Sequence, residues 1–522
     1  MDWGEVRAAF SEEGARRQIA MTCHTDDGEA EKAYLHFVEH VEPHLKPRQF
    51  ALEKLYLGHS LRPSLPGLRY EVFDRQTATR VELYRDENVA LETEEARIGQ
   101  HYQKLSGALT VNFRGEERTL VQMGRLLEEP DRGLRQEAWE LVARRRLAEK
   151  EAFDTQFDEL IALRGKIATN AGFPNYRDYA FREKCRFDYT PEDCVRFHDA
   201  IEREIVPLLR VLHSERRRDL GLDRLRPWDL AVDPMGRAPL RPFEKVEDMV
   251  ARTQVVFDRV DPDLGGQFRT MDRLRLLDLD NRKGKAPGGY QSTLSESRMP
   301  FVFMNAVGVQ RDVETLLHEG GHAFHAFATQ AEDFFPYRDA PIEFCEVASM
   351  SMELLGAEHL DAYYGPDELR RARRDHLEGI VETFPWIATV DAFQHWIYTH
   401  PGHTRAERAA AWNQQVDRFG GDVDWSGWEE AKGHMWHRQL HVFLYPFYYV
   451  EYAIAQIGAL QVWLNSRRDP VEALAAYKAG LALGGSRPLP ELFAKAGCRF
   501  ALDRETLKPL AELLRVELAR LG

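Results

Sequence analysis

Apolar residues recur at three- and four-residue intervals along most of this chain, the spacing that gives a helix one buried face. The window LRQEAWELVARRRLAEKEAFDTQFDELIALRGKIA (134–168) is a long example, and Pro130 and Asp131 stand just ahead of it, where a helix would begin. Two stretches carry the two-residue period of a strand. In 68–87, Tyr70, Val72, Val81 and Leu83 alternate with polar residues; in 109–123, Gly115 separates two short alternating runs as a hairpin turn would. A third run, PFVFMNAVG (300–308), is bounded by Pro300 and Gly308, rich in β-formers and too short for a buried helix. Ahead of it, 279–298 carries Gly284, Pro287, Gly288 and Gly289 and reads as a long flexible loop. The pattern predicts a mainly α protein. It divides near residue 120 into an N-terminal, mostly helical domain with strand elements (1–120) and a larger helical domain (121–522).

Composition removes some function classes. The chain has 522 residues and a formal net charge of −15, which argues against a nucleic-acid-binding surface. It holds no run of about 18 apolar residues, so no membrane span is expected. Five scattered cysteines without a C-x-x-C pair predict reduced thiols and a cytoplasmic setting rather than a disulfide framework. The first residues, MDWGEVRAAF, lack the basic and apolar regions of a signal peptide.

The chemistry concentrates in DVETLLHEGGHAFHAF (312–327). Asp312 is a good N-cap, and Val313, Leu316, Leu317, Ala323, Phe324 and Phe327 continue a helical stripe. On such a helix His318 and His322 share a face one turn apart and can bind one Zn²⁺, with Glu319 beside them to accept a proton from a water the metal activates. Gly320 and Gly321 each cost about 1 kcal/mol against alanine in a helix interior. A helix whose backbone must be closely approached has a reason to carry them. A catalytic zinc takes a third protein ligand. Position 328, where a third histidine could follow, is Ala328, so a glutamate from a following helix is the alternative. PIEFCEVASMSMELLG (341–356) offers Glu343, Glu346 and Glu353 near one face of an otherwise apolar helix. Carboxylates there need a cation or hydrogen-bond donors; a metal or surface arginines could serve.

HEGGHAFH followed by EFCEVASMSMELL resembles the gluzincin oligopeptidases typified by oligoendopeptidase F and thimet oligopeptidase, and is closest to the bacterial oligoendopeptidase F type. Their signature is HExGHxxH, then a glutamate in an E-x-x-S setting on the next helix. Glu346, with Ser349 after it, occupies that place, and Glu343 stands one turn off it. The resemblance therefore implies His318, His322 and Glu346 as zinc ligands, one Zn²⁺ per chain, and Glu319 as the base. It runs from about Ala138 to the C-terminus and is weak over the first hundred residues. It implies a prolate multi-helix shell around a deep central channel, with a small β-sheet beside the active site. RKGKAPGGYQ (282–291) is similar to the family's glycine-rich loop that closes over bound peptide, which places Gly288, Gly289 and Tyr290 at the substrate. RMPFVFMNAVG is similar to the strand whose edge pairs with the substrate backbone, which adds Phe301 and Phe303 and places the peptide along 300–306.

LHVFLYPFYYVEYAIAQIGALQVW (440–463) is similar to the family's His-x-x-x-Tyr-Pro-Phe-Tyr segment. Hydrolysis of a peptide bond makes a tetrahedral oxyanion, and tyrosine hydroxyls and histidine N–H groups can donate to it. Without the resemblance the aromatics read as a core stripe. With it, Tyr445 and Tyr452 are oxyanion donors or substrate clamps and His441 binds substrate. Tyr448 stands among the substrate contacts or, with Tyr449, in packing. Pro446 suits the first turn of a helix. His434, His437 and His441 also fall at helical spacing, but no carboxylate lies close in sequence to complete a second metal site. His325 reads as packing or as support to the ligands.

These readings describe a cytoplasmic zinc endopeptidase acting on short peptides, without nucleic acid or membrane, as a monomer or homodimer. A helical metallocarboxypeptidase with the same HExxH-plus-Glu site is one alternative; its HPF motif is missing, the nearest string being HPG at 400–402. A non-catalytic peptide-binding protein on this fold is the other.

Overall fold

The computed structural model describes residues 2–522, most of them helical. The expected helix at 134–168 forms as two, Arg132–Ala148 and Lys150–Asn170. Asp131 caps the first as expected: its carboxylate accepts from the N–H groups of Gly133 and Leu134, two donors that have no partner inside the helix.

The strand expected at 68–87 is a helix, Gly67–Leu83. Its buried Val72, Thr79 and Leu83 lie seven and four residues apart, one helical face. The two-residue steps Tyr70–Val72 and Val81–Leu83 fit either period, and the polar stretch between them has no strand alternation. The hairpin forms as expected. β1 (Thr110–Phe113) pairs antiparallel with β2 (Glu116–Thr119). Arg114 and Gly115 both take positive φ, the turn that matches strand twist in a two-residue hairpin.

The apolar core runs across residue 120. Leu83, Ile98, Tyr102 and Leu109 belong to the same buried cluster as Phe153, Phe157 and the helices that carry the histidines. A division of the chain near residue 120 is a proposal that limited proteolysis tests.

The second sheet has three strands: β3 (Leu277–Asp280), β4 (Tyr290–Leu294) and β5 (Met299–Ala306), in the order β3-β5-β4. β5 is the expected strand at 300–308. It is central, parallel to β3 and antiparallel to β4, so both its edges are paired. The expected loop 279–298 is interrupted by β4. One face of this sheet packs through Tyr290, Phe301 and Phe303 on Ile19 and Cys23 of the N-terminal helix Asp2–Cys23.

Four helices then surround the candidate site: Gln310–Ala328 (the histidine helix), Ile342–Ala357 (the glutamate helix), Pro366–Thr399 (the long helix) and Tyr449–Ser466 (the tyrosine helix). The glutamate helix packs against both the histidine and the tyrosine helix, and the long helix backs the tyrosine helix. The five cysteines are free, and no helix among the described residues is long and apolar enough to cross a membrane.

Candidate active site

The histidine helix begins at Gln310, two residues before the expected cap. Asp312 does a related job from inside the first turn. Its Oδ2 accepts from the N–H groups of Val307, Gly308 and Val309 at 2.8, 2.8 and 3.0 Å. One carboxylate thereby ties the exit of β5 to the start of the helix.

The His318 and His322 rings stand 4.8 Å apart, nearly perpendicular. Glu346 Oε2 lies 3.3 Å from His318 Nε2 and 3.7 Å from His322 Nε2. Tetrahedral zinc with bonds of about 2.0–2.2 Å separates its ligand atoms by about 3.2–3.6 Å, close to both Glu346 contacts, and the three ligand atoms lie within 4.8 Å of one another. Ser349 Oγ donates to Glu346 Oε2 at 3.0 Å and orients it.

Three glutamates on one helix have three separate partners. Glu346 meets the histidine pair. Glu353 Oε1 accepts from His318 Nδ1 at 2.6 Å and its Oε2 from His376 Nε2 at 3.0 Å, which leaves His318 Nε2 for a metal. Glu343 accepts from the Tyr189 hydroxyl at 2.8 Å. None of the three forms an arginine bridge among the described residues. The role of Glu353 was not readable beforehand, because three acids on one helix face look alike until the opposing helices are in place. Glu353→Gln should weaken zinc binding by about 10–100-fold, the usual cost of losing such a supporting partner, as measured by competition with a chelating dye.

Burial disfavours positive charge at His318, but hydrogen bonds to Glu346 and Glu353 outweigh it and push its pKa up to about 10. Burial pushes His322 down to about 4. Burial would raise Glu346, yet the hydrogen bond from His318 and the nearby His322 hold it below the usual carboxylate range. The trio is thus an environment that favours a cation. Glu319, one position beyond His318, is buried; burial raises its pKa to about 7, opposed by His318 and reinforced by Glu346. The nearby Gln291 backbone N–H of β4 pulls the other way and favours the ionised form.

The glycines have a specific cause. A Cβ on Gly321 would lie 2.5 Å from Ser349 Cα and 2.6 Å from Ala348 O, and one on Gly320 would lie 2.6 Å from the Phe257 ring. What approaches the helix backbone at Gly321 is the glutamate helix, and that approach brings Glu346 to the histidines. Gly321→Ala must push backbone against backbone. We expect a loss of about 1–3 kcal/mol in stability, with zinc affinity falling alongside, checked by denaturant unfolding and metal titration.

The residues assigned to substrate are placed unevenly. Phe301 and Phe303 turn into the buried cluster under the sheet, Phe303 at 0% exposure. The expected pairing along 300–306 meets an occupied strand: β4 already pairs with Met299–Phe303, and β3 with Val302, Phe303 and Ala306. The outer edge beside Glu319 belongs to β4. Tyr290, at its start, stacks on Phe303 at 4.8 Å, and its hydroxyl bonds the Thr22 hydroxyl at 2.7 Å. Gly288 takes φ +103° and its carbonyl accepts from Asn305 Nδ2; Gly289 runs close against Phe303 O.

In the aromatic segment the tyrosine helix starts at Tyr449, later than Pro446 suggests, because Phe447 takes a positive φ of 62° and breaks the helix. That turn is held from both sides: Arg186 donates to Phe447 O, and Gln394 Oε1 accepts from Phe447 N at 3.1 Å. Arg186 is buried and pairs with Glu451 at 2.7 Å. Arg186, Gln394 and Glu451 are supports the sequence did not reveal; a charge inside an apolar stretch was the one signal, and it names no partner. His441 sits among Tyr449, Tyr448, Tyr452 and Tyr445, with ring centroids 4.7, 5.8, 6.1 and 6.2 Å away. The Tyr448 and Tyr452 rings meet edge-on with centroids 5.3 Å apart, and both phenol pKa values are raised, by burial first and then by charges that include Glu346. Tyr445 stands apart, 52% exposed.

The histidine triplet diverges: His434 and His437 both face Asp154, with His434 Nε2 4.0 Å from Oδ2. His437 Nε2 lies 3.3 Å from Asp154 Oδ1, while His441 Nδ1 accepts from Gln439. His434 and His437 also border an apolar cavity of about 260 Å³ with Trp139, Trp386 and Trp425. His325 is buried against Phe344 and takes no part in the trio.

The family model of peptidase family M3 matches residues 125–512. The chain belongs to that family. Among curated proteins it is similar to Oligopeptidase PepF of Bacillus subtilis (strain 168), 25% identical over 56% of this chain and 43% of the relative. It is also similar to the Oligoendopeptidase F homolog of Lactococcus lactis subsp. lactis (strain IL1403), 23% identical over 71% of this chain and 61% of the relative. The matches thus span about half the length of these relatives. Among solved structures, PZ peptidase A with an inhibitor superposes with a TM-score of 0.89 at 29% identity, covering 99% of this chain and 92% of that one. Oligoendopeptidase-F from Enterococcus faecium superposes with a TM-score of 0.66 at 17% identity over 99% and 90% of the two chains, a likeness of fold alone. The mostly helical M3 fold with small sheets is the one expected.

Proposed function

We propose that this M3 chain is a zinc-dependent endopeptidase that hydrolyses internal bonds of short oligopeptides. The observation that carries the reading is the convergence of His318, His322 and Glu346 on one point, with the buried carboxyl of Glu319 on the adjoining position. Zinc held by the trio would polarise the scissile carbonyl and lower the pKa of the attacking water. Glu319 accepts the proton of that water and returns it to the leaving amine; a pKa of about 7 suits both transfers near neutrality. Tyr452 and Tyr448 have raised pKa values, so they stay protonated and donate to the oxyanion. Tyr445 and His441 clamp the peptide beside them. The free edge of β4 takes the peptide backbone as an added strand, with Gly288, Gly289 and Tyr290 leading into that edge. A cytoplasmic setting with one catalytic zinc per chain completes the proposal.

A peptide blocked at both ends provides the test. The endopeptidase reading expects internal cleavage, lost on chelation and restored by zinc. Cleavage confined to peptides with a free C-terminus would favour a carboxypeptidase. Zinc and peptide binding without hydrolysis of a broad library would favour a binding protein.

A further inference from the structure

A second group of metal-ligating side chains lies where the helix Pro191–Glu204 crosses the long helix. Each helix contributes a pair one turn apart: Cys194 and His198 from the first, Asp391 and His395 from the second. All four are buried, Cys194 and Asp391 at 0% exposure. One ligand atom each from Cys194, Asp391 and His395 lies within 4.8 Å of the others, the same closeness that groups His318, His322 and Glu346.

The polar bonding of this group is incomplete. His198 Nε2 lies 2.8 Å from Asp391 Oδ2, but Asp391 Oδ1 has no partner. Both ring nitrogens of His395 are also without one, although Nε2 comes within 3.4 Å of Asp391 Oδ2. Among the described residues, Asp391 forms ion pairs with His198 and His395 alone, and no lysine or arginine bridges it. The walls are aromatic: His395 meets Phe447 and Phe181 edge-on, and His198 meets Phe419. A fully buried carboxylate oxygen and an imidazole, neither with a hydrogen-bond partner, are costly in such surroundings.

We propose that Cys194, Asp391 and His395 bind a second divalent cation, Zn²⁺, distinct from the peptidase site. Thiolate, carboxylate and neutral imidazole are a donor set that suits zinc. Binding removes the Cys194 thiol proton to solvent, and the thiolate and carboxylate together balance the two positive charges, so the filled site is neutral. Asp391 Oδ1 is free to ligate, while His198 holds Oδ2 and orients the carboxylate, the usual arrangement around a metal ligand. The role is structural, since all three donors are buried. The cation would lock two helices in register directly behind the tyrosine turn: Gln394, next to His395, holds Phe447 N, and the His395 ring packs on Phe447.

Metal counting tests this without relying on peptidase activity. The full chain, stripped with chelator and reloaded with Zn²⁺ or Co²⁺, should carry two ions by elemental analysis, and the His318→Gln/His322→Gln double variant should carry one. The Co²⁺ forms of both proteins should show a thiolate-to-metal charge-transfer band in the near ultraviolet. The peptidase ligands contain no sulfur and cannot produce it. Cys194→Ser should lose the band and one ion. If the wild type reloads with a single ion, the double variant with none, and no charge-transfer band appears in either, the cluster is a hydrogen-bonded network only and the proposal fails. The wild-type spectrum decides the matter even if Cys194→Ser does not fold.

Discussion

Glu319→Gln is expected to lower kcat/KM for a blocked peptide by about 10²–10⁴-fold, the usual worth of a positioned general base, which is about 3–5 kcal/mol of barrier. The amide has the shape of the carboxylate, so it stays in the same buried place beside Gln291. It cannot accept the proton of the attacking water. Most of the loss should fall on kcat, because the side chain acts on the reacting water and holds no part of the peptide before reaction. Zinc content should be unchanged, since Glu319 stands outside the trio of ligand atoms. Stability should hold or rise. Burial already disfavours the ionised Glu319 carboxyl, and a neutral amide carries no such penalty. A variant with full zinc and wild-type turnover would show that another group moves the proton.

What could be read from the sequence follows the range of each interaction. Two histidines one turn apart and a neighbouring glutamate are a local pattern, and the folded helix keeps it. The glycine doublet was legible as a demand for close approach, but not as the point where the glutamate helix settles, because Gly321 and Ser349 are distant in sequence. Glu346 was named through resemblance. Glu343 and Glu353 acquired their roles from Tyr189, His318 and His376, partners contributed by other helices. The strand expected at 68–87 failed because short alternating runs satisfy two periods at once, and burial on one helical face decided between them. β5 was found where expected, yet its position inside the sheet depends on β3 and β4 pairing with it, which the run PFVFMNAVG does not encode by itself. The Cys194–His198 and Asp391–His395 pairs lie nearly two hundred residues apart, and neither is a signal until the two helices cross.

Glu346→Gln should affect the metal more than any other single change in the trio. Glutamine keeps the volume and the contact with Ser349, but it removes the negative charge shared between His318 Nε2 and His322 Nε2. His318 remains held by Glu353, so the variant offers a metal two imidazoles and no anionic ligand. Its affinity for zinc should fall by more than the about 10–100-fold expected when the supporting partner Glu353 is altered. The thermal response separates this from misfolding. An ion that binds the folded chain at a hundredfold excess over its Kd stabilises it by about 2.7 kcal/mol, so wild type should gain in Tm when zinc is added at that level. The Glu346→Gln variant should show little of the gain attributable to this site at the same zinc concentration, while its metal-free Tm stays close to that of the metal-free wild type. A variant that kept both zinc affinity and the full thermal gain would remove Glu346 from the ligand set, and with it the proposed centre.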